Sequence, residues 1–206
     1  MKKFDDEPSM EFNNINTAYN SIRNEFNRDH LKNWERGKTG IPIIDACMRC
    51  LNETGYLNFR MRAMIVSFAA FNLWQNWKNF SHFLARKFLD YEPGIHYSQI
   101  QMQSAVTGIN TVRIYNPIKN SKLLDPEGKF IKKWVSELKS VPKEYIHEPW
   151  KMTKIEQEMY NFSISDNYFS PIIDIEQSRK NASEKIWKIR KGSKSIIHAK
   201  KIIKKH

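Results

Sequence analysis

With 206 residues, 40% hydrophobic and 13% aromatic, six of them Trp, the chain is long enough to bury a core as one domain, and this composition excludes disorder. Its only cysteines, Cys47 and Cys50, exclude a disulfide framework and point to a reduced, cytoplasmic setting. Net charge is +12 but uneven, since Glu176 to His206 holds eleven Lys and Arg against the two acids Glu176 and Glu184. That terminus is either a contact for a polyanion or a solvated tail that aids solubility.

The opening "MKKFDDEPSM" lacks the apolar stretch of a signal peptide, and no run of about 18 apolar residues marks a membrane span, so a soluble protein is expected. A helix is expected from about Met10 to Asn24. "GIPIIDACMRCLNETG" predicts a second, with Pro42 in the first turn, Ile44, Cys47, Met48 and Leu51 on one face, and Gly55 as the C-cap. Cys47 and Cys50 on it read as small apolar thiols in a core, because a lone CxxC lacks the further ligands of a structural metal site.

Asn58 to Trp77 predicts a helix apolar nearly all round, which is a buried helix. Arg60 and Arg62 fall in its first turn, where a cation faces the positive end of the helix dipole. A buried guanidinium there needs a carboxylate or phosphate, and the nearest acids in a comparably apolar context are Asp90 and Glu92. An Arg62 to Asp90 ion pair is therefore expected, either as part of a site or as a plain buried salt bridge tying two helices.

"NFSHFLARKFLD" predicts a shorter amphipathic helix, ended by Pro93 and Gly94. His96 just beyond is a metal ligand, a hydrogen-bonding group or a satisfied core histidine; no HExxH, GxGxxG, Walker loop or GxSxG accompanies it. Asp125 is expected to cap a helix with Pro126 at its first position and Phe130, Ile131, Trp134, Val135 and Leu138 as its stripe. "SISDNYFSPIID" reads as a loop or linker, and Glu176 to Lys191 as a helix. The fold class is all-α, with residues 1–165 as a helical domain and 166–206 as linker and basic C-terminal tail.

From Lys32 to Trp150 the segments "WERGKTGIPIIDACMRCLNETGYLNFRMRAMIVSFAAFNLWQNW", "LDYEPGIHYSQIQMQS", "RIYNP", "DPEGKFIKKWVSEL" and "HEPW", in that order, closely resemble the FAD-binding helical domain of the DNA photolyase/cryptochrome family. The resemblance implies FAD as cofactor and repair of pyrimidine dimers by light-driven electron transfer, a lyase reaction on flipped bases, or light sensing with the same flavin. It places Arg62 beside the isoalloxazine ring with Asp90 as its ion-pair partner, and adds Tyr91 and Glu92 to the cofactor contacts. Glu92 stands where the family usually has Asp. His96 takes the position, often Asn, that faces flavin N5.

Phe59 and Arg60 match a pair that approaches DNA, and Met102 and Asn120 join them as expected DNA contacts. Trp77 matches the middle member of the tryptophan chain of photoreduction. The other two positions fall on Asn24 and Ile100, which leaves Trp74, Tyr91 and Tyr97 as alternative carriers. The family's "WQW" beside the substrate appears as Ile100, Gln101 and Met102, expected to line the pocket where a base enters. The family's antenna domain and FAD phosphate loop would precede Met1, so FAD binding is expected to need an N-terminal half from a separate polypeptide. A split photolyase, a gene remnant and a shortened relative stay open, and a flavin-free DNA- or protein-binding module is the alternative from another class. Damaged DNA is the expected partner.

Overall fold

In the computed structural model, which describes residues 7–205, the chain forms α1 (Arg28–Glu35), α2 (Pro42–Thr54), α3 (Phe59–Ser67), α4 (Trp77–Lys87) and α5 (Pro93–Gln103). These are followed by α6 (Pro117–Leu124), α7 (Lys129–Trp134), α8 (Lys154–Met159), α9 (Ile175–Arg190) and α10 (Ser193–Lys205). Among the described residues there is no β-strand, only an isolated bridge between Ile164 and Tyr168, and the fold class is all-α as expected. No helix among them is long and apolar enough to cross a membrane. Two compact units emerge: one holds the described residues up to Asn27, Val66–Ile114 and those from Ile175 on, the other Arg28–Ile65 and Tyr115–Asp174.

In the second of these units α2 is the centre, packed against α1, α6 and α7. Pro42 starts it, having no N–H to leave unpaired, and Gly55 ends it at φ +70° with its N–H on Leu51 O at 2.9 Å. Ile44, Cys47, Met48 and Leu51 are fully buried, as their spacing predicts, and both cysteines are free thiols. Asp45, in the first turn of α2, is buried too. Its carboxylate accepts from Thr39 N (2.7 Å), Thr39 Oγ1 (2.6 Å), Gly40 N (3.0 Å) and the Tyr168 hydroxyl.

Tyr168 lies in the stretch expected to be a linker. It is 1% exposed, and Ile172 N donates to Thr39 O at 3.0 Å, so this irregular stretch is packed against the start of α2. The helix expected to begin at Pro126 begins at Lys129. Gly128 adopts φ +66° and interrupts the turn, and a Cβ there would lie 2.6 Å from Ile146 Cγ1. Asp125 still caps, accepting from Phe130 N at 3.1 Å and Ile131 N at 2.9 Å.

In the other unit, the helix expected from Met10 to Asn24 is absent. Two 3-10 turns, Pro8–Glu11 and Thr17–Tyr19, stand in its place. Gln101 explains the difference: its Nε2 donates to Met10 O (2.7 Å) and Asn13 O (2.8 Å), carbonyls that a continuous helix would have used. Asn16 further diverts the chain by accepting from Ala18 N at 3.1 Å.

The helix expected to reach Trp77 also breaks early. After α3 a π turn, Phe68–Asn72, closes on Leu73 N to Phe68 O, Trp74 swings to φ +53°, and Asn76 caps α4, so Trp77 opens the next helix. Within residues 166–206, expected as linker and basic tail, α9 buries Ile175, Ala182 and Ile186 and packs on the π turn. The next helix, α10, packs on Thr17–Tyr19, with Asn16 Nδ2 donating to Ser195 O at 3.2 Å. Most of the Lys and Arg side chains of both helices face outward.

Candidate functional site

The loop and first turns of α5 hold most of the expected cofactor residues. Glu92 is the N-cap of α5: Oε1 accepts from Gly94 N (3.1 Å) and Oε2 from Ile95 N (2.7 Å), and Pro93 occupies the first helical turn. The carboxylate expected at a flavin edge therefore also builds the helix that presents His96. Asp90 is exposed and Tyr91 is 39% exposed.

His96 is 8% exposed, and its Nε2–H donates to the carbonyl of Ser81 on α4 at 2.9 Å. A carbonyl only accepts, so this bond places a proton on Nε2. Edge-on aromatic contacts surround the imidazole, with Tyr97 at 5.0 Å, Tyr91 at 5.2 Å and Phe88 at 6.5 Å between centroids.

Trp77 is 1% exposed, and its indole N–H donates to Asn14 Oδ1 at 2.6 Å. Its ring lies 6.4 Å from that of Tyr97, edge to face. Tyr97 donates its hydroxyl to Glu11 Oε1 at 3.2 Å, and His82 Nδ1 lies 3.4 Å away. Burial, then the hydrogen bond to Tyr91, pushes the Tyr97 phenol above its ordinary range, so it stays protonated. A buried indole and a buried phenol with proton acceptors beside it are groups able to carry a hole in sequence.

Trp74 is a poorer carrier, because two cations bear on its face, the Arg23 guanidinium at 4.8 Å and Lys185 Nζ at 4.9 Å. Each raises the cost of oxidising the ring. Trp77 has Lys78, an exposed ammonium, at 6.0 Å.

The expected DNA-facing residues are distributed over both units. Phe59 is 60% exposed and Arg60 is exposed, at the start of α3, while Asn120 is half-buried on α6. Met102 belongs to the other unit, half-buried beside a cavity of about 180 Å³ that Ser98, Thr107 and Ile109 also line. Gln101, expected beside it on a pocket wall, is instead spent wholly on the backbone of residues 10–15, its Oε1 accepting from Ile15 N at 3.0 Å.

Arg62 was expected to be a buried cation. It is half-buried, its Nε donates to Leu57 O at 2.6 Å, and its guanidinium lies 5.5 Å over the Tyr56 ring. Asp90 belongs to the other unit.

Arg23 is the buried guanidinium among the described residues, at 4% exposure, and it lies outside any helix at φ +57°, in the stretch expected to be helical. Its Nε donates to Ala70 O at 2.7 Å, a carbonyl of the π turn. Burial lowers its pKa to about 9, against a smaller opposing effect of Tyr19. Asp45 is the second polar residue that periodicity missed. Burial pushes its carboxyl up, while the bonds from Thr39 and Tyr168 resist.

A family model described as the FAD binding domain of DNA photolyase matches residues 1–188. The chain is 36% identical over 179 residues to the deoxyribodipyrimidine photo-lyase of Alkalihalophilus pseudofirmus, covering 85% of this chain and 37% of that relative. It is 34% identical over 159 residues to Cryptochrome-1 of Drosophila melanogaster, covering 75% of this chain and 29% of that relative. The solved structure of a bacterial class III photolyase from Agrobacterium tumefaciens superposes with a TM-score of 0.83 at 25% identity, over 92% of this chain and 40% of that one. The chain thus spans about a third of the length of the curated relatives it matches. It belongs to the DNA photolyase/cryptochrome family, within that family's helical FAD-binding domain.

Proposed function

We propose that this chain is the cofactor-holding part of a flavoprotein that repairs pyrimidine dimers in DNA by light-driven electron transfer. The observation that carries the reading is the cluster of Trp77, Tyr97 and His96, two buried redox-capable rings beside an imidazole, inside a chain matched over 1–188 by the family model. The donor set suits FAD. Asp90 and Glu92 offer carboxylate oxygens to N–H and O–H groups, and each Glu92 oxygen bonded to an N–H of α5 keeps a second lone pair. His96, with its Nε2–H on Ser81 O, stands at the position where the family often has Asn.

FAD, when bound, supplies the electron that light drives into the dimer. The residues of the chain would orient it (Arg62, Asp90, Tyr91, Glu92), face its N5 edge (His96) and relay electrons (Trp77). Arg62 enters on the family resemblance, and substitution is its test. Damaged DNA is the proposed partner, approached by Arg60 toward phosphate and by Phe59, Met102 and Asn120 near the lesion. The chain spans about a third of the length of its relatives, so the test supplies the region that precedes it in them.

The test is flavin absorbance of the purified chain, alone and mixed with a polypeptide carrying that preceding region, followed by an assay for restored thymines under blue light. Flavin retained and thymines restored support the reading; no flavin in either preparation defeats it. Flavin chemistry without repair would favour light sensing, a reading supported by Asn24 and Ile100 at the tryptophan-chain positions. A flavin-free DNA-binding module is favoured by the outward cations of α9 and α10. It predicts that changing Lys200, Lys201, Lys204 and Lys205 to Gln weakens DNA binding and flattens its salt dependence.

A further inference from the structure

A buried arginine is normally paired, yet both Nη1 and Nη2 of Arg23 are buried without a hydrogen-bond partner. Its guanidinium stacks over Phe71 at 5.1 Å and Trp74 at 4.8 Å, which holds its plane but offers no acceptor to its N–H groups. Arg23 forms part of the wall of a cavity of about 330 Å³, whose other lining includes Trp74, Asn24, Glu25, Lys185 and Lys188. Three cations thus meet one carboxylate there, and two of those cations bear on the same indole. Arg23 and Trp74 are also both non-glycine residues held at positive φ, +57° and +53°, so the packing fixes a backbone arrangement that costs energy where these side chains meet.

We infer that this cavity is a binding site for a phosphate-type oxyanion, held by Arg23 with Lys185 and Lys188. The chemistry is that of charge-assisted bonds from a planar guanidinium to tetrahedral oxygens, with two ammonium groups completing the neutralisation. Lys185 and Lys188 are exposed on α9 and long-stemmed, so they can turn to admit the ligand to the inner wall. Burial lowers the Arg23 pKa, and an anion held beside the guanidinium would oppose that shift. This site uses none of the residues assigned to the flavin, so its failure would leave the flavin reading standing.

The anion has two sources, a small phosphorylated molecule or the backbone of a nucleic acid. Titration calorimetry of the whole chain with inorganic phosphate, against chloride at equal ionic strength, tests the shared chemistry. Saturable heat with phosphate alone is expected, and about tenfold weaker binding in Arg23→Gln, as loss of a charge-assisted bond implies. Should Arg23→Gln lose its helical circular dichroism, the surface double variant Lys185→Gln/Lys188→Gln carries the test, with binding weakened several-fold.

A competing DNA oligonucleotide then distinguishes the sources: loss of the phosphate heat assigns the site to backbone phosphate, and its persistence assigns it to a small phosphorylated ligand. Heat no different from chloride, or variants that bind as the parent chain does, overturns the inference.

Discussion

Replacing Trp77 by Phe separates the structural from the electronic role of the buried indole. The ring is 1% exposed, and its N–H gives a 2.6 Å bond to Asn14 Oδ1, itself on a residue only 7% exposed. Phe leaves that oxygen without its donor, a loss of about 1–3 kcal/mol. The smaller ring also vacates volume that a packed core recovers only in part, adding about 1–2 kcal/mol. The sum, about 2–5 kcal/mol, lowers the midpoint of thermal unfolding by about 4–20 °C in a chain of this size.

Asn14→Ala is the control, because it removes the same bond and keeps the indole. In a double-mutant cycle the two changes should couple by about 1 kcal/mol, since each removes one half of a single bond. In flavin-loaded protein, Trp77→Phe should slow light-driven flavin reduction at least about tenfold, the signature of a lost relay, while Asn14→Ala keeps the rate. Urea unfolding and flavin bleaching under blue light measure the two effects. Undiminished photoreduction in Trp77→Phe would refute the relay, and strictly additive destabilisation would refute the bond.

Gly128→Ala should destabilise by about 2–3 kcal/mol, from the left-handed backbone together with a Cβ placed against Ile146, read as a lower urea midpoint. Tyr168→Phe should cost about 1 kcal/mol by removing the hydroxyl from Asp45, and Asp45→Asn more, because its amide would face Gly40 N–H; melting curves rank the two. Glu148 has its pKa lowered: burial opposes the shift, but the hydrogen bonds of Lys122 and Lys151 win. A lowered folded pKa gives stability that is present above the unfolded value and lost as pH falls, so acid should remove up to about 1 kcal/mol that Glu148→Gln never had. Unfolding at pH 7 and in acid, for both proteins, checks the sign.

Local pattern carried much of the fold. Pro42, the face of Ile44, Cys47, Met48 and Leu51, and Gly55 state α2 in full, because its cap, stripe and stop are all read from neighbours in sequence. What escaped was decided by distant partners. Residues 10–24 have helical spacing, but Gln101 removes two of the carbonyls that a helix needs. Gly128 moves the start of α7 because Ile146 leaves no room for a Cβ, a fact no window around Asp125 contains. Tyr168 reads as part of a polar loop until Asp45 is placed opposite it.

The candidate site divides in the same way. The family motif, rather than periodicity, led to His96, Glu92 and Trp77. The double duty of Glu92 as a helix cap and the Ser81 partner of His96 are visible only with α4 and α5 in place. Arg23 carries no motif and falls in the stretch whose expected helix does not form, and its burial depends on a carbonyl of the π turn and on Phe71 and Trp74 around it.

The central claim is that these residues hold a light-reducible flavin. Its most direct test is the visible spectrum of the purified chain mixed with a polypeptide carrying the preceding region of its relatives, before and after blue illumination with an electron donor. The account predicts a flavin band that bleaches in the light and is lost in Arg62→Ala and Asp90→Ala. A colourless protein, or a flavin band indifferent to both substitutions, would contradict it.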